Sequence, residues 1–527
     1  MPTRTSRRKP FGITALAGWM LLTASCAFYG GRIPYAPAPA YQAEADRAPG
    51  TQNQPFHTEA YDRIVENPFL AVKENPLSTF SIDVDTASYS NMRRFLTDGQ
   101  RPPADAVRIE ELINYFSYDY PLPRGEEPFS VTAEVAACPW NNDHKLVHIG
   151  LKGRPLDQDN LPPRNLVFLM DVSGSMSDSR KLPLLKSAFR LLVESLDGRD
   201  RVAIAVYAGA SGLVLPPTSG AEGATILDAL GRLEAGGSTN GGAGIRLAYR
   251  VAREHFRPDG INRVILATDG DFNVGTTSQG ELIRLIEKER ESGVFLTVLG
   301  FGTGNLKDST MEKLADKGNG NYAYIDTLNE ARKVLVHESG ATLVTIAKDV
   351  KIQVEFNPAR VSAYRLIGYE NRLLRTEDFH DDSKDAGEIG AGHTVTALYE
   401  VVPADVQVGT GRVDALKYQS ERTFTGAAGS NELLTLKLRY KAPSAAESKL
   451  ITGMVEDRGD GVEGASVNFR FSAAVAAFGM LLRDSNYKGA ASYDLVVDLA
   501  RNALGPDPHG TRKEFLSLVD KARRLGD

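Results

Sequence analysis

An α/β fold is predicted, with a doubly wound, mostly parallel sheet inserted in or flanked by a β-sandwich and followed by a helical C-terminal segment. Three features carry that prediction. Between about residues 161 and 348, short runs that are apolar throughout (NLVFLM, RVAIAVY, NRVILAT and VFLTVLGFG) alternate with segments of helical spacing. Strands without a polar face that alternate with helices need cover on both sides, which is the signature of a parallel sheet. Runs of period two lie on either side of this block, FSVTAEVAA and HKLVHIGLKG before it, VKIQVEF, HTVTALYEVV and LLTLKLRY after it, and half-buried strands read this way. From about residue 471 the pattern is helical again, ending in KEFLSLVDKARRL.

In chain order, residues 1–26 read as an export signal. Arg4, Arg7, Arg8 and Lys9 precede an apolar stretch from Phe11 to Leu22, too short to span a bilayer. The stretch ends in LTASC, which resembles a bacterial lipobox and implies lipidation of Cys26. Thr23 stands where that pattern prefers Leu. A plain cleaved signal is the alternative, and Arg7-Arg8 leaves the export route open. Residues 27–68, rich in Ala, Pro, Gln and Tyr, have no regular period and read as a tether.

Residues 69–160 form a mixed segment: TFSIDVD as a strand, TASYSNMRRFLTDG as a helix closed by Gly99, RIEELINYFSYDY as a second helix, then the two strands named above. In the α/β block, residues 161–348, the first helix places Leu182, Leu185, Phe189, Leu192 and Leu196 on one face. Residues 349–470 are β-rich and 471–527 helical. Either one sandwich is interrupted by the α/β block, or two separate β units flank it.

Composition sets outer limits. The chain has 527 residues, 42% hydrophobic and 24% charged, enough apolar surface for about three domains. The formal net charge is -6, and no basic stripe with interleaved aromatics supports nucleic-acid binding. The cysteines are Cys26 and Cys138, so with Cys26 acylated no internal disulfide can form, and Cys138 reads as a small buried hydrophobe.

The candidate site begins at DVSGSMSD, residues 171–178, directly after an apolar strand. Ligands of open α/β sheets bind beyond the carboxyl ends of the strands. Thr239 in the loop GGSTNGG and Asp269 directly after NRVILAT are expected on the same rim. Asp171, Ser173, Ser175, Thr239 and Asp269 are all hard oxygen donors, suited to Mg2+, Ca2+ or Mn2+. This set, D-x-S-x-S with a later Thr and Asp, resembles the metal-ion-dependent adhesion site of von Willebrand factor type A domains, over about residues 163–345. The flanks, including ENPLSTFSIDVDTASYS, resemble an uncharacterised family of bacterial lipoproteins built on that domain. The resemblance implies direct coordination by the hydroxyls, aspartates acting in part through water, and one open position for a Glu or Asp of another protein.

Competing readings of the serines are helix capping near Ser179 and nucleophilic catalysis. The latter needs a nearby base; none of the eight histidines is expected at that rim, and no G-x-S-x-G is present. DGDFNVG, from Asp269, fails as a calcium loop because Gly280 stands where a bidentate Glu is needed. Asp83 and Asp85 are expected to serve helix capping through Asp85 or Thr86, and His144 with His148 lacks a third metal ligand. No nucleotide-binding motif is present.

The function predicted is therefore divalent-cation-dependent binding of another protein by a non-enzymatic module, lipid-anchored in the bacterial envelope. In a bacterium with two membranes, Ala27 after the cysteine implies the outer membrane facing the periplasm. An envelope scaffold or adaptor with a structural or vestigial metal site is the alternative.

Overall fold

A computed structural model describes residues 58–526 except 157–160, 239–240, 271–278, 339–342 and 407–422. All of the described residues belong to one compact unit, Pro55–Asp527. The signal and lipobox readings at 1–26, with Cys26, lie outside the described residues.

At the centre is a six-stranded sheet in the order Tyr322–Ile325, Phe295–Phe301, Ile261–Thr268, Arg164–Asp171, Arg201–Tyr207, Ser211–Ser219. Neighbours are parallel except the last, which is antiparallel. The strand Arg164–Asp171 explains the double winding. Leu166, Phe168 and Met170 meet Leu185, Phe189, Leu192 and Ile226 on one face. Val167 and Leu169 meet Ile245, Tyr249, Leu282 and Leu314 on the other. Alternate residues of one fully apolar strand thus feed two helical layers.

The β-rich segments form two further sheets. One runs Leu70–Ala71, Val361–Ile367, Thr394–Pro403, Asn141–Gly153, Phe129–Cys138; the other runs Gly387–Gly390, Thr345–Phe356, Glu432–Lys441, Lys449–Glu456, with Leu77–Ser81 also paired to Thr345–Phe356. Each sheet combines strands from before and after the central domain, and Val147, Ile149, Val354 and Leu436 share one core. The sheets therefore pack as a single sandwich with the α/β block set into its chain.

The helical segment does not stand apart. Val467–Arg483, Tyr493–Arg501 and Thr511–Gly526 enclose a core with the N-terminal helices Ala87–Thr97 and Ile109–Asn114. Phe116 sits edge-on to Phe471 at 4.8 Å and to Phe515 at 5.8 Å. Cys138 is buried and free. Among the described residues, no helix is long and apolar enough to cross a membrane.

Two sequence expectations need correction. Thr86 is the N-cap of Ala87–Thr97, yet neither it nor Asp85 caps that helix through its side chain. Asp85 instead accepts from the Tyr322 backbone N–H at 2.7 Å and from Arg372 at 3.4 Å, while the Ser88 N–H in the buried first turn of the helix donates to Glu111 Oε2 at 2.8 Å. The tether also ends earlier than residue 68. Thr58 and Ala60 donate backbone hydrogen bonds to Gly304 and Leu306 at 2.7 and 3.0 Å, so the chain is already bound to the central domain there.

Candidate metal centre

The strand Arg164–Asp171 lies between Arg201–Tyr207 and Ile261–Thr268, with Asp171 opposite Tyr207 and Met170 opposite Ala267. This register brings the chain after Thr268 beside Asp171 at the carboxyl edge. Asp171 and Asp269 are both 0% exposed. Parallel pairing of two apolar strands is thus what puts two carboxylates in one dry place.

Asp171 Oδ1 accepts from the Ser173 backbone N–H at 2.8 Å, and Oδ2 accepts from Thr268 Oγ1 at 3.4 Å. Burial pushes the Asp171 carboxyl up to about 6, with the charge of Asp269 adding to it and hydrogen bonds from Ser173 and Tyr207 opposing it. Asp269 goes the other way. Burial raises it, but hydrogen bonds from Lys181, Asn305 and Ser175 together hold it below the usual carboxylate range.

The hydroxyls of Ser173 and Ser175 are 3.1 Å apart. Two oxygens in adjacent positions of a Mg2+ octahedron, each about 2.1 Å from the ion, are separated by about 3 Å. The pair therefore has the spacing of neighbouring ligands, and the donor set of carboxylates and hydroxyls is the chemistry a hard cation takes. Among the described residues, no three His, Cys, Asp or Glu side chains converge as a metal cluster, so any cation here depends on the hydroxyls.

The loop is set by its neighbours. Ser175 lies in a short 3-10 turn, Gly174–Ser177, pinned by buried Met176. Gly174 N–H donates to the Gly237 carbonyl at 3.0 Å, and Gly236 N–H donates to the Val172 carbonyl at 2.7 Å. The Gly-rich loop is thus fastened against D-x-S-x-S at Gly236 and Gly237. Thr239 lies outside the described residues.

Capping does not account for the serines. Ser173 precedes the turn without a side-chain cap bond, and the following helix starts at Leu182 behind Lys181, also without one. Of the described histidines, His144 is held by Glu400 at 2.6 Å, His148 lies 2.9 Å from the Tyr120 hydroxyl, and His337 stacks on His509.

Sequence reasoning passed over Lys181 and Asn305. Lys181 Nζ donates to Asp269 Oδ2 at 2.8 Å and to Asn305 Oδ1 at 3.1 Å. Its stem crosses Gly302, whose φ is +75° and where an added Cβ would lie 2.3 Å from Lys181 Cγ. The loop bearing Asn305 is braced from outside: Gly304 N–H donates to Glu59 Oε1 at 2.8 Å, and Glu59 Oε2 accepts from Arg94 at 2.9 Å. A glycine in GFGTG was the available signal, since a left-handed turn against a long side chain admits no Cβ.

Three family descriptions match the chain: von Willebrand factor over residues 55–148, von Willebrand factor type A domain over 165–336, and uncharacterized protein YfbK, C-terminal, over 341–525. The chain is 44% identical over 504 residues to the uncharacterized protein YfbK of Escherichia coli, covering 94% of this chain and 86% of that one. It is also 31% identical over 170 residues to human inter-alpha-trypsin inhibitor heavy chain H3, covering 30% of this chain and 18% of that one. Among solved structures, a von Willebrand factor type A protein from Catenulispora acidiphila is similar at 17% identity with a TM-score of 0.40, covering 77% of this chain and 91% of that chain.

Proposed function

This chain belongs to the family of Escherichia coli YfbK, a bacterial family with a von Willebrand factor type A domain, and from that premise we propose that its central domain binds another protein through a divalent cation. Asp171, Ser173, Ser175, Thr239 and Asp269 would hold the ion, with Mg2+ the first candidate and Ca2+ or Mn2+ the others. The ion supplies a Lewis-acidic position for a carboxylate. The chain's own residues orient the hydroxyls, exclude water through the buried strands behind them, and supply two negative charges to the ion.

The observation that carries this reading is the 3.1 Å Ser173–Ser175 hydroxyl pair in contact with two buried aspartates. Buried carboxylates that lack a full counter-charge are costly, and a divalent ion compensates both. The domain is read as non-catalytic, because its serines face each other and Asp269 within a set of oxygen donors suited to a cation. Lipidation at Cys26 would fix it to the envelope.

One observation favours the vestigial-site alternative: Lys181 already places an ammonium on Asp269. Capture from envelope extracts separates the readings. Partners retained with Mg2+ and lost with chelator or with Asp171→Ala support metal-mediated binding. Partners retained equally by a folded Asp171→Ala protein overturn it.

A further inference from the structure

Lys181 has no place in the set of oxygen donors, yet its charge lies within that set. The residue is 7% exposed, and lysines are rarely so deeply buried unless paired. Its ammonium contacts Asp269 at 2.8 Å and Asn305 at 3.1 Å. Gly302, lacking a Cβ, leaves room for the stem. The neighbouring charges Asp178 and Arg180 are more than half exposed and therefore screened by solvent. The charge that acts on the buried donors is that of Lys181.

We propose that Lys181 is a resident counter-cation of the metal site, which weakens divalent binding and leaves the loaded site with one unit of positive charge for a partner's carboxylate. The inference rests on the metal-site reading given above. The charges add simply: a divalent ion brings two positive charges, Asp171 and Asp269 cancel both, and Lys181 restores one. Without the lysine, ion and aspartates would be neutral together, and an incoming carboxylate would gain little. With it, the third carboxylate completes the balance, so ion and acidic partner bind cooperatively. An ammonium beside Asp269 also repels the ion at short range in a poorly screened place. Asn305 supplies the second acceptor that keeps Nζ in this position when no ion is present.

The test is calorimetric titration of Mg2+ alone into the full chain at constant ionic strength, for wild type, Lys181→Gln, Asn305→Ala and Asp171→Ala. Glutamine keeps a neutral donor for Asp269, so the pocket stays satisfied while the charge is removed. Lys181→Gln is expected to bind Mg2+ at least about tenfold more tightly than wild type. Asn305→Ala, which loosens the ammonium and also removes a hydrogen bond to Asp269, is expected to shift in the same direction by a smaller factor and serves if Lys181→Gln fails to fold. Unchanged or weaker affinity in a folded Lys181→Gln protein, with wild type binding and Asp171→Ala not, overturns this inference alone. Absence of Mg2+ binding in wild type and Lys181→Gln alike overturns the metal-site reading as well.

Discussion

Replacing Gly302 by alanine should expel Lys181 from the site without touching any proposed metal ligand. Gly302 has φ +75°, and the new Cβ would lie 2.3 Å from Lys181 Cγ and 2.5 Å from Cε. A left-handed alanine costs about 1–2 kcal/mol. Displacing the lysine leaves Asp269, 0% exposed, without its ammonium, and breaking a buried pair costs about 3–5 kcal/mol. Hydrogen bonds from Asn305 and Ser175 remain, which favours the lower end. In chelator the variant should therefore lose about 4–5 kcal/mol. In saturating Mg2+ the ion replaces the missing positive charge, and only the backbone cost of about 1–2 kcal/mol should remain. Urea unfolding of both proteins, with and without Mg2+, reads the difference directly. Equal losses in the two conditions would refute the reasoning, as would a loss in chelator no larger than the backbone cost.

Other perturbations address the frame around the site. Arg372 holds Asp83 at 3.1 Å, Asp316 at 2.5 Å, Glu312 at 2.9 Å and Asp85 at 3.4 Å, joining three parts of the chain. Arg372→Met should cost about 3–5 kcal/mol, about 3–5 °C in melting temperature for a unit this large, and a shift under 1 °C would contradict it. Burial holds His148 down to about 4 from 6.5. The unfolded chain takes up that proton first, so stability present above pH 6.5 is lost as pH falls towards 4, by about 3 kcal/mol. His148→Gln should flatten the pH dependence of unfolding by that amount. Cys26→Ser should move the protein from the membrane to the soluble envelope fraction, measured by fractionation; retention on the membrane would exclude lipidation there as the anchor.

Much of the architecture was readable because the central strands are apolar on both faces. The order of NLVFLM beside NRVILAT follows from parallel pairing, and it places Asp171 and Asp269 on one edge. The edge strand Ser211–Ser219 gave no such signal, since Pro216 and Pro217 interrupt it and Leu213 and Val214 are exposed. Asp85 resembled a helix cap because the sequence before a helix cannot reveal an arginine that arrives from residue 372. Lys181 carries no signal of its own in the sequence, standing beside Arg180 just before a helix. Its burial depends on Gly302 and Asn305, more than a hundred residues later, and only the closed loops make that association visible. The shared core of Phe116 with Phe471 and Phe515 was hidden for the same reason, as helical periodicity names a buried face but not what buries it.

Crystals of the full chain soaked with Mn2+ and measured at the manganese absorption edge offer the most direct test of the central claim. A single anomalous peak within bonding distance of the Ser173 and Ser175 hydroxyls and the Thr239 hydroxyl is the expected result. A peak elsewhere, or Lys181 Nζ still on Asp269 with no manganese between the loops, would contradict it.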